Sequence, residues 1–176
     1  MYKYFNAHPK GLRVGDCVKR AISKATGKEY SVVQKELNEC KKVTGCTKFN
    51  ERKNWQYYLE NKIGVVKISF PAVSGEERMN GEKFMAMYYR GKYILKMAGH
   101  LSCCIDGHIY DTWDCTEKCV YTAYKIIEDK DRIKWNDNYI DDCIKNIKKE
   151  YNAKIKKLKL EMQNEIEMLE KKRGTK

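Results

Sequence analysis

From Ile140 to Leu169 the apolar side chains advance in steps of 4, 3, 4, 4, 3, 4, 4 and 3 residues, through Ile144, Ile147, Tyr151, Ile155, Leu158, Met162 and Ile166. The mean step of ~3.6 residues is the period of a straight α-helix rather than that of a heptad coiled coil. No Gly or Pro interrupts the run before Gly174. At 1.5 Å per residue, some 35 residues span ~50 Å. A domain made from the residues before it would be about 35–40 Å across. The stripe therefore divides the chain into a compact domain, 1–137, and a long amphipathic basic helix, 138–176. The apolar face of that helix must leave the core, meet a partner chain or fray.

The part before residue 138 changes period halfway along. Val18, Ala21, Ile22 and Ala25 form one helical face, with Asp16 placed to cap its start and Gly27 its end. Ser31 and Gln34 have capping-box spacing ahead of a second helix carrying Val32, Val33, Leu37 and Cys40. Residues 47–64 read as a third helix, with Trp55, Tyr58, Leu59 and Ile63 as its stripe. Asn80 is placed to cap a short helix over EKFMAMYY. Residues 1–15 read as an entry loop. VVKISF, KYILKM, GHLSCCI, HIYDTW and KCVYTAYKI are strand-like, and Asp106-Gly107 is a hairpin signal between two of them. Helices first and antiparallel strands second give an α+β class.

Charge and cysteine content narrow the function classes. Lys plus Arg number 36 against 24 Asp plus Glu, for a net charge of +12. Such a charge attracts polyanions, although Lys far outnumbers Arg, as in a merely solvated surface. Residues 138–176 hold 11 Lys or Arg and 7 Asp or Glu, so +4 of the +12 lies there. The basic run 149–159 offers phosphate contacts to nucleic acid. Self-association through residues 138–173 is the competing use of the same helix. With 42% hydrophobic residues the chain can bury a core. No run reaches the ~20 apolar residues of a membrane span, and the first 15 residues carry no apolar signal segment. A soluble, cytoplasmic protein is expected, with its eight cysteines reduced. Cys115 and Cys119 are separated by three residues rather than the two of a common zinc pair, with His100 or His108 as further ligands on paper. Neither a metal nor a cofactor is expected.

One cysteine occupies a chemically meaningful position. Cys17 opens the first predicted helix, where free backbone N–H groups and the helix dipole favour a thiolate and can bind an oxyanion. A nucleophilic thiol needs a base, and His100 opens a predicted strand just after Gly99. Across the Asp106-Gly107 hairpin, Asp111 or Asp114 can orient the imidazole. A two-residue turn pairs Ile105 with His108, opposes His100 to Trp113 and favours Asp111. A three-residue loop would favour Asp114.

These segments, GDCVKRAISKATGKEY and GHLSCCIDGHIYDTWD, resemble a group of small papain-like cysteine peptidase-fold proteins of bacteriophages, over roughly residues 11–125. The resemblance implies a papain-like fold, with N-terminal helices packed on a C-terminal antiparallel sheet. It also implies Cys17 as nucleophile, His100 as base and Asp111 or Asp114 as orienter. The Gln that papain places before its cysteine is replaced by Gly11, and the nearest upstream amide, Asn6, becomes the candidate oxyanion donor. The implied activity is a cysteine hydrolase (peptidase, isopeptidase or amidase) acting through an acyl-enzyme on a protein or peptide, in the cytoplasm of a bacterial host. Two other readings use the same residues differently. One is a non-catalytic binding protein that engages a host protein or nucleic acid, as in counter-defence. The other is a transglutaminase-like acyl transferase.

Overall fold

The structure is a computed structural model that describes residues 1–127 and 137–173. Residues 1–127 form one compact unit. In chain order its elements are β1 (Tyr2–Tyr4), α1 (Cys17–Thr26), α2 (Tyr30–Thr44), α3 (Arg52–Tyr58), β2 (Val65–Ser69), α4 (Gly81–Met87), β3 (Lys92–Met97), β4 (His100–Ile105), β5 (His108–Asp111) and β6 (Val120–Ile126). The class is α+β, as the order of periods predicts. The strands make one six-stranded sheet in the order β1-β5-β4-β3-β6-β2.

That sheet is mixed, which corrects the expectation of an antiparallel one. Residues 2–4 are not part of an entry loop: they pair in parallel with β5, Tyr2 against Ile109 and Tyr4 against Asp111. Three residues are too few for a periodicity signal, and β5 supplies the pairing edge from more than 100 residues away. The other pairings are antiparallel.

Hydrophobic alternation along the central strands divides the core into two layers. Ile94, Leu101, Cys103 and Tyr124 face α1, α2 and α3, where they meet Ile22, Leu37, Trp55 and Tyr58. Leu95, Met97, Cys104 and Ala123 face the other way, against Phe84 of α4 and Ile109. Cys103 and Cys104 thus lie on opposite faces, as adjacent strand residues must. Burial on both faces explains the nearly unbroken apolar runs of β3 and β4.

The helix boundaries follow local chemistry only in part. Gly27 ends α1 with φ 74° and donates its N–H to the Ser23 carbonyl at 2.9 Å. Asn80 caps α4, its Oδ1 accepting from the Lys83 N–H at 2.9 Å. Asp16 stands at the α1 N-cap position but makes no side-chain cap, because its carboxylate is taken by Arg20 and the Tyr30 hydroxyl. The Ser31–Gln34 capping box does not form either. Helix α2 already starts at Tyr30, and Gln34 instead accepts from Lys19 Nζ at 3.0 Å.

The third helix is shorter than its apolar stripe suggests. It begins at Arg52 and widens into a π-helical turn over Leu59–Ile63, where the Gly64 N–H reaches back to the Leu59 carbonyl at 3.0 Å. Residues 47–51 stay irregular because Glu51 and Asn54 bond to them. Glu51 accepts from the Lys48 N–H and the Thr47 hydroxyl, and Asn54 donates to the Phe49 carbonyl.

The second unit contains one helix, α5 (Asp137–Arg173), in agreement with the long stripe. The expected domain boundary at 137/138 adjoins residues 128–136, which lie outside the described residues, as do the side chains of Ile140 and Cys143 and the terminal Gly174. No helix among the described residues is long and apolar enough to cross a membrane.

Candidate active site

Two tight turns and one helix start bring the site together. Cys17 is the first residue of α1, which packs across β4. His100 is the first residue of β4, reached through the two-residue turn Ala98-Gly99, with Met97 paired to His100. Gly99 has φ 62°, a left-handed conformation that suits glycine and leaves the space beside the imidazole open. The next hairpin turns at Asp106 and Gly107, both with positive φ, 46° and 72°. Ile105 pairs with His108 and Cys103 with Tyr110, the register of a two-residue loop. Asp111 therefore ends β5 diagonally across from His100.

In that register Asp111, not Asp114, is the carboxylate beside the imidazole. His100 Nε2 lies 2.7 Å from Asp111 Oδ2, and both side chains are largely buried. The other Asp111 oxygen accepts from the Thr112 N–H at 2.7 Å. Asp114 instead closes a turn, accepting from the Thr116 N–H at 3.0 Å and the Thr116 hydroxyl at 2.7 Å. The Trp113 ring lies 5.3 Å from the imidazole and shields it from one side. With Nε2 committed to Asp111, Nδ1 is the ring nitrogen left for another partner.

The electrostatics favour an ion pair. Burial alone would push the Cys17 thiol up, but it is outweighed by hydrogen bonds from His100 and the Leu101 backbone and by the imidazole charge. The thiol lies below its usual value. For His100 burial also works against the charge, yet hydrogen bonds with Asp111, Cys115 and Cys17 carry it up to about 11. Asp111 is held low by the same imidazole against the effect of its own burial. All three shifts favour the charged forms, thiolate, imidazolium and carboxylate.

Arg20 supports the carboxylate from behind. Its guanidinium pairs with Asp16, donates to the Val14 carbonyl at 3.2 Å and lies 4.0 Å from Asp111 Oδ1. Tyr30 donates to the other Asp16 oxygen at 2.8 Å. Buried charges are held only when compensated in this way. The chain Tyr30–Asp16–Arg20–Asp111–His100 ties α2 and α1 to the sheet.

Cys17 opens onto a cleft of about 230 Å³ lined also by Asn50, Arg52, Trp55, Lys96, Met97 and Gly99. Of these only the Cys17 and His100 neighbourhood is legible in the sequence. Asn50 and Arg52 come from the irregular segment before α3 and its first turn, and no motif marks them. That segment is pinned by Lys19, whose ammonium lies between the rings of Phe49 and Tyr30 at 4.5 and 4.6 Å. Asn6, the candidate oxyanion donor, is not among the residues that line the cleft. Its Nδ2 donates to the carbonyls of Gly11 and Leu12 and its Oδ1 accepts from the His8 N–H, so it organises its own loop. Asn50 supplies a side-chain amide to the lining of the cleft.

Ligand atoms of His100, Asp111 and Cys115 lie within 4.8 Å of one another and are the groups that could hold a metal ion among the described residues. Cys119 is not one of them. Cys115 Sγ lies 3.5 Å from Ser102 Oγ and 3.8 Å from Asp111 Oδ2, which gives the buried thiol polar partners without a metal.

No family model, no curated protein and no solved structure matches this chain.

Proposed function

We propose that the chain is a papain-like cysteine hydrolase that cleaves an amide, isopeptide or thioester bond through an acyl-enzyme on Cys17. The observation that carries this reading is the thiol–imidazole–carboxylate series. Cys17 and His100 line the same cleft, and His100 Nε2 is 2.7 Å from Asp111 Oδ2. The order of supports also agrees, with the thiol at a helix start and the base and orienter on adjacent strands. Metal-free covalent catalysis needs no further group.

The Cys17 thiolate attacks the carbonyl carbon. The developing oxyanion lies against the backbone N–H groups at the start of α1, with the Asn50 amide across the cleft. His100 gives its proton to the leaving amine as the C–N bond breaks, leaving a thioester. Water then attacks that thioester and His100 takes its proton. The acid product leaves and the thiolate is restored. Asp111 holds Nε2, which leaves Nδ1 for these proton transfers. Arg52 and Lys96 at the cleft, with no carboxylate among its lining residues, favour a substrate with acidic groups near the scissile bond.

A thiol-directed electrophile is the direct test. Cys17 is expected to label at pH 7 far faster than Cys40, Cys103 or Cys104. Burial raises the thiol pKa of those three. Labelling should vanish in Cys17→Ala and slow by about 10²-fold or more in His100→Ala. Equal labelling of wild type and Cys17→Ala would refute the proposal.

A further inference from the structure

Eight large apolar side chains of α5, from Ile144 to Leu169, stand exposed in a single stripe, each 41% accessible or more. They cover ~38 Å of helix. At a width of about 10 Å this is an apolar band of about 400 Å², a size that marks an interaction site. The spacing within the band has two further properties. It repeats every 11 residues, as in Ile144, Ile155 and Ile166 or Ile147, Leu158 and Leu169. An 11-residue repeat holds a seam on one face of a nearly straight, slightly right-handed pair of helices. The steps 3, 4, 4, 3, 4, 4, 3 also read the same in both directions. A copy running the opposite way therefore meets the band layer by layer: Ile144 with Leu169, Ile147 with Ile166, Tyr151 with Met162, and Ile155 with Leu158.

Charge chooses between the two directions. Residues 145–159 carry seven Lys and one Glu, and residues 160–170 carry four Glu and no Lys. At ~3.67 residues per turn, Lys148, Lys159 and Glu170 flank the band on one side, and Lys154 and Glu165 on the other. In a parallel pair the two sides face each other, so Lys154 meets Lys159 and Glu165 meets Glu170, twice over. In an antiparallel pair each side faces its own reversed copy. Lys148 then lies five residues, ~7.5 Å along the axis, from Glu170 at both ends, and Glu165 lies six residues from Lys154, against like-charge approaches of Lys154, Lys159 and Lys148 nearer the middle. The helix dipoles also oppose one another in this arrangement.

We propose that α5 is a homodimerisation helix that pairs with the α5 of a second copy in antiparallel orientation, centred between residues 156 and 157. This interaction surface is independent of the Cys17 chemistry.

Sedimentation equilibrium of the full chain at low salt is the test. A dimer is expected at about 50 μM chain, and Leu158→Asp should make it monomeric. The near-ultraviolet circular dichroism of the aromatic core should not change. Glu170→Lys distinguishes the two directions. In the antiparallel dimer it turns the attraction to Lys148 into repulsion at both ends and should raise the dimer Kd about five-fold, with rescue by Lys148→Glu in the same chain. In a parallel dimer it would relieve the repulsion with Glu165 and tighten association. A monomer at all concentrations, as when α5 packs on its own chain, would overturn the proposal. So would a tighter Glu170→Lys dimer, or a Leu158→Asp chain that still dimerises.

Discussion

Replacing Asp111 with Asn removes one charge from the candidate site while keeping the shape of the side chain. In the structure that carboxylate lies 2.7 Å from His100 Nε2, is 5% exposed and accepts the Thr112 N–H at 2.7 Å. A buried hydrogen bond between charged groups contributes about 1.5–3 kcal/mol. One pH unit corresponds to about 1.4 kcal/mol, so loss of the carboxylate should lower the His100 titration midpoint by about 1–2 units. The starting point is a midpoint raised to about 11. The remaining Arg20 charge, 4.0 Å from the Asp111 Oδ1 position, pushes the imidazole in the same direction. The assay is nuclear magnetic resonance titration of ring-labelled histidine, with only His8, His100 and His108 to assign. Asp114→Asn is the control, because Asp114 bonds Thr116 rather than the imidazole, and it should leave His100 unmoved. Linkage supplies a second readout. A His raised from 6.5 to about 11 on folding adds stability that is complete below pH 6.5 and is lost as pH rises through about 11. The difference in stability between wild type and Asp111→Asn should therefore shrink across that alkaline range. A wild-type His100 that titrates near 6.5, or one that moves in Asp114→Asn and not in Asp111→Asn, would refute the reasoning.

Two stability predictions concern the scaffold. Gly81→Ala should cost about 2–3 kcal/mol in urea unfolding, because a Cβ there would lie 2.7 Å from the Thr116 carbonyl oxygen and 2.8 Å from Ile109 Cδ1; a loss below about 0.5 kcal/mol would show that the loop at Thr116 yields. Arg20→Met should cost about 3–5 kcal/mol, since it strands the buried Asp16 carboxylate with only Tyr30 as partner. A loss under about 1 kcal/mol would mean that the hydroxyl alone satisfies Asp16.

What could be read from the sequence was decided by neighbours along the chain. A left-handed glycine ends α1 at Gly27, and an Asn at the right offset starts α4 at Asn80. Asp106-Gly107 makes a two-residue turn, and that turn alone determines the register that carries Asp111 to His100. The α5 stripe is legible for the same reason, because its period is a property of one helix. Where the sequence reading differs from the structure, a distant partner outcompetes the local one. Asp16 abandons its capping role for Arg20 and Tyr30, and Gln34 leaves the capping box for Lys19. Residues 2–4 become a strand only because β5 has an open edge beside them. The cleft is the clearest case. Cys17 and His100 could be singled out by chemical type and position, but Asn50, Arg52 and Lys96 carry no local signal. They line the cleft only because α3 packs on α2 and β3 pairs with β4 around the start of α1, and packing of that kind is set by burial across the whole core rather than by any short stretch of residues.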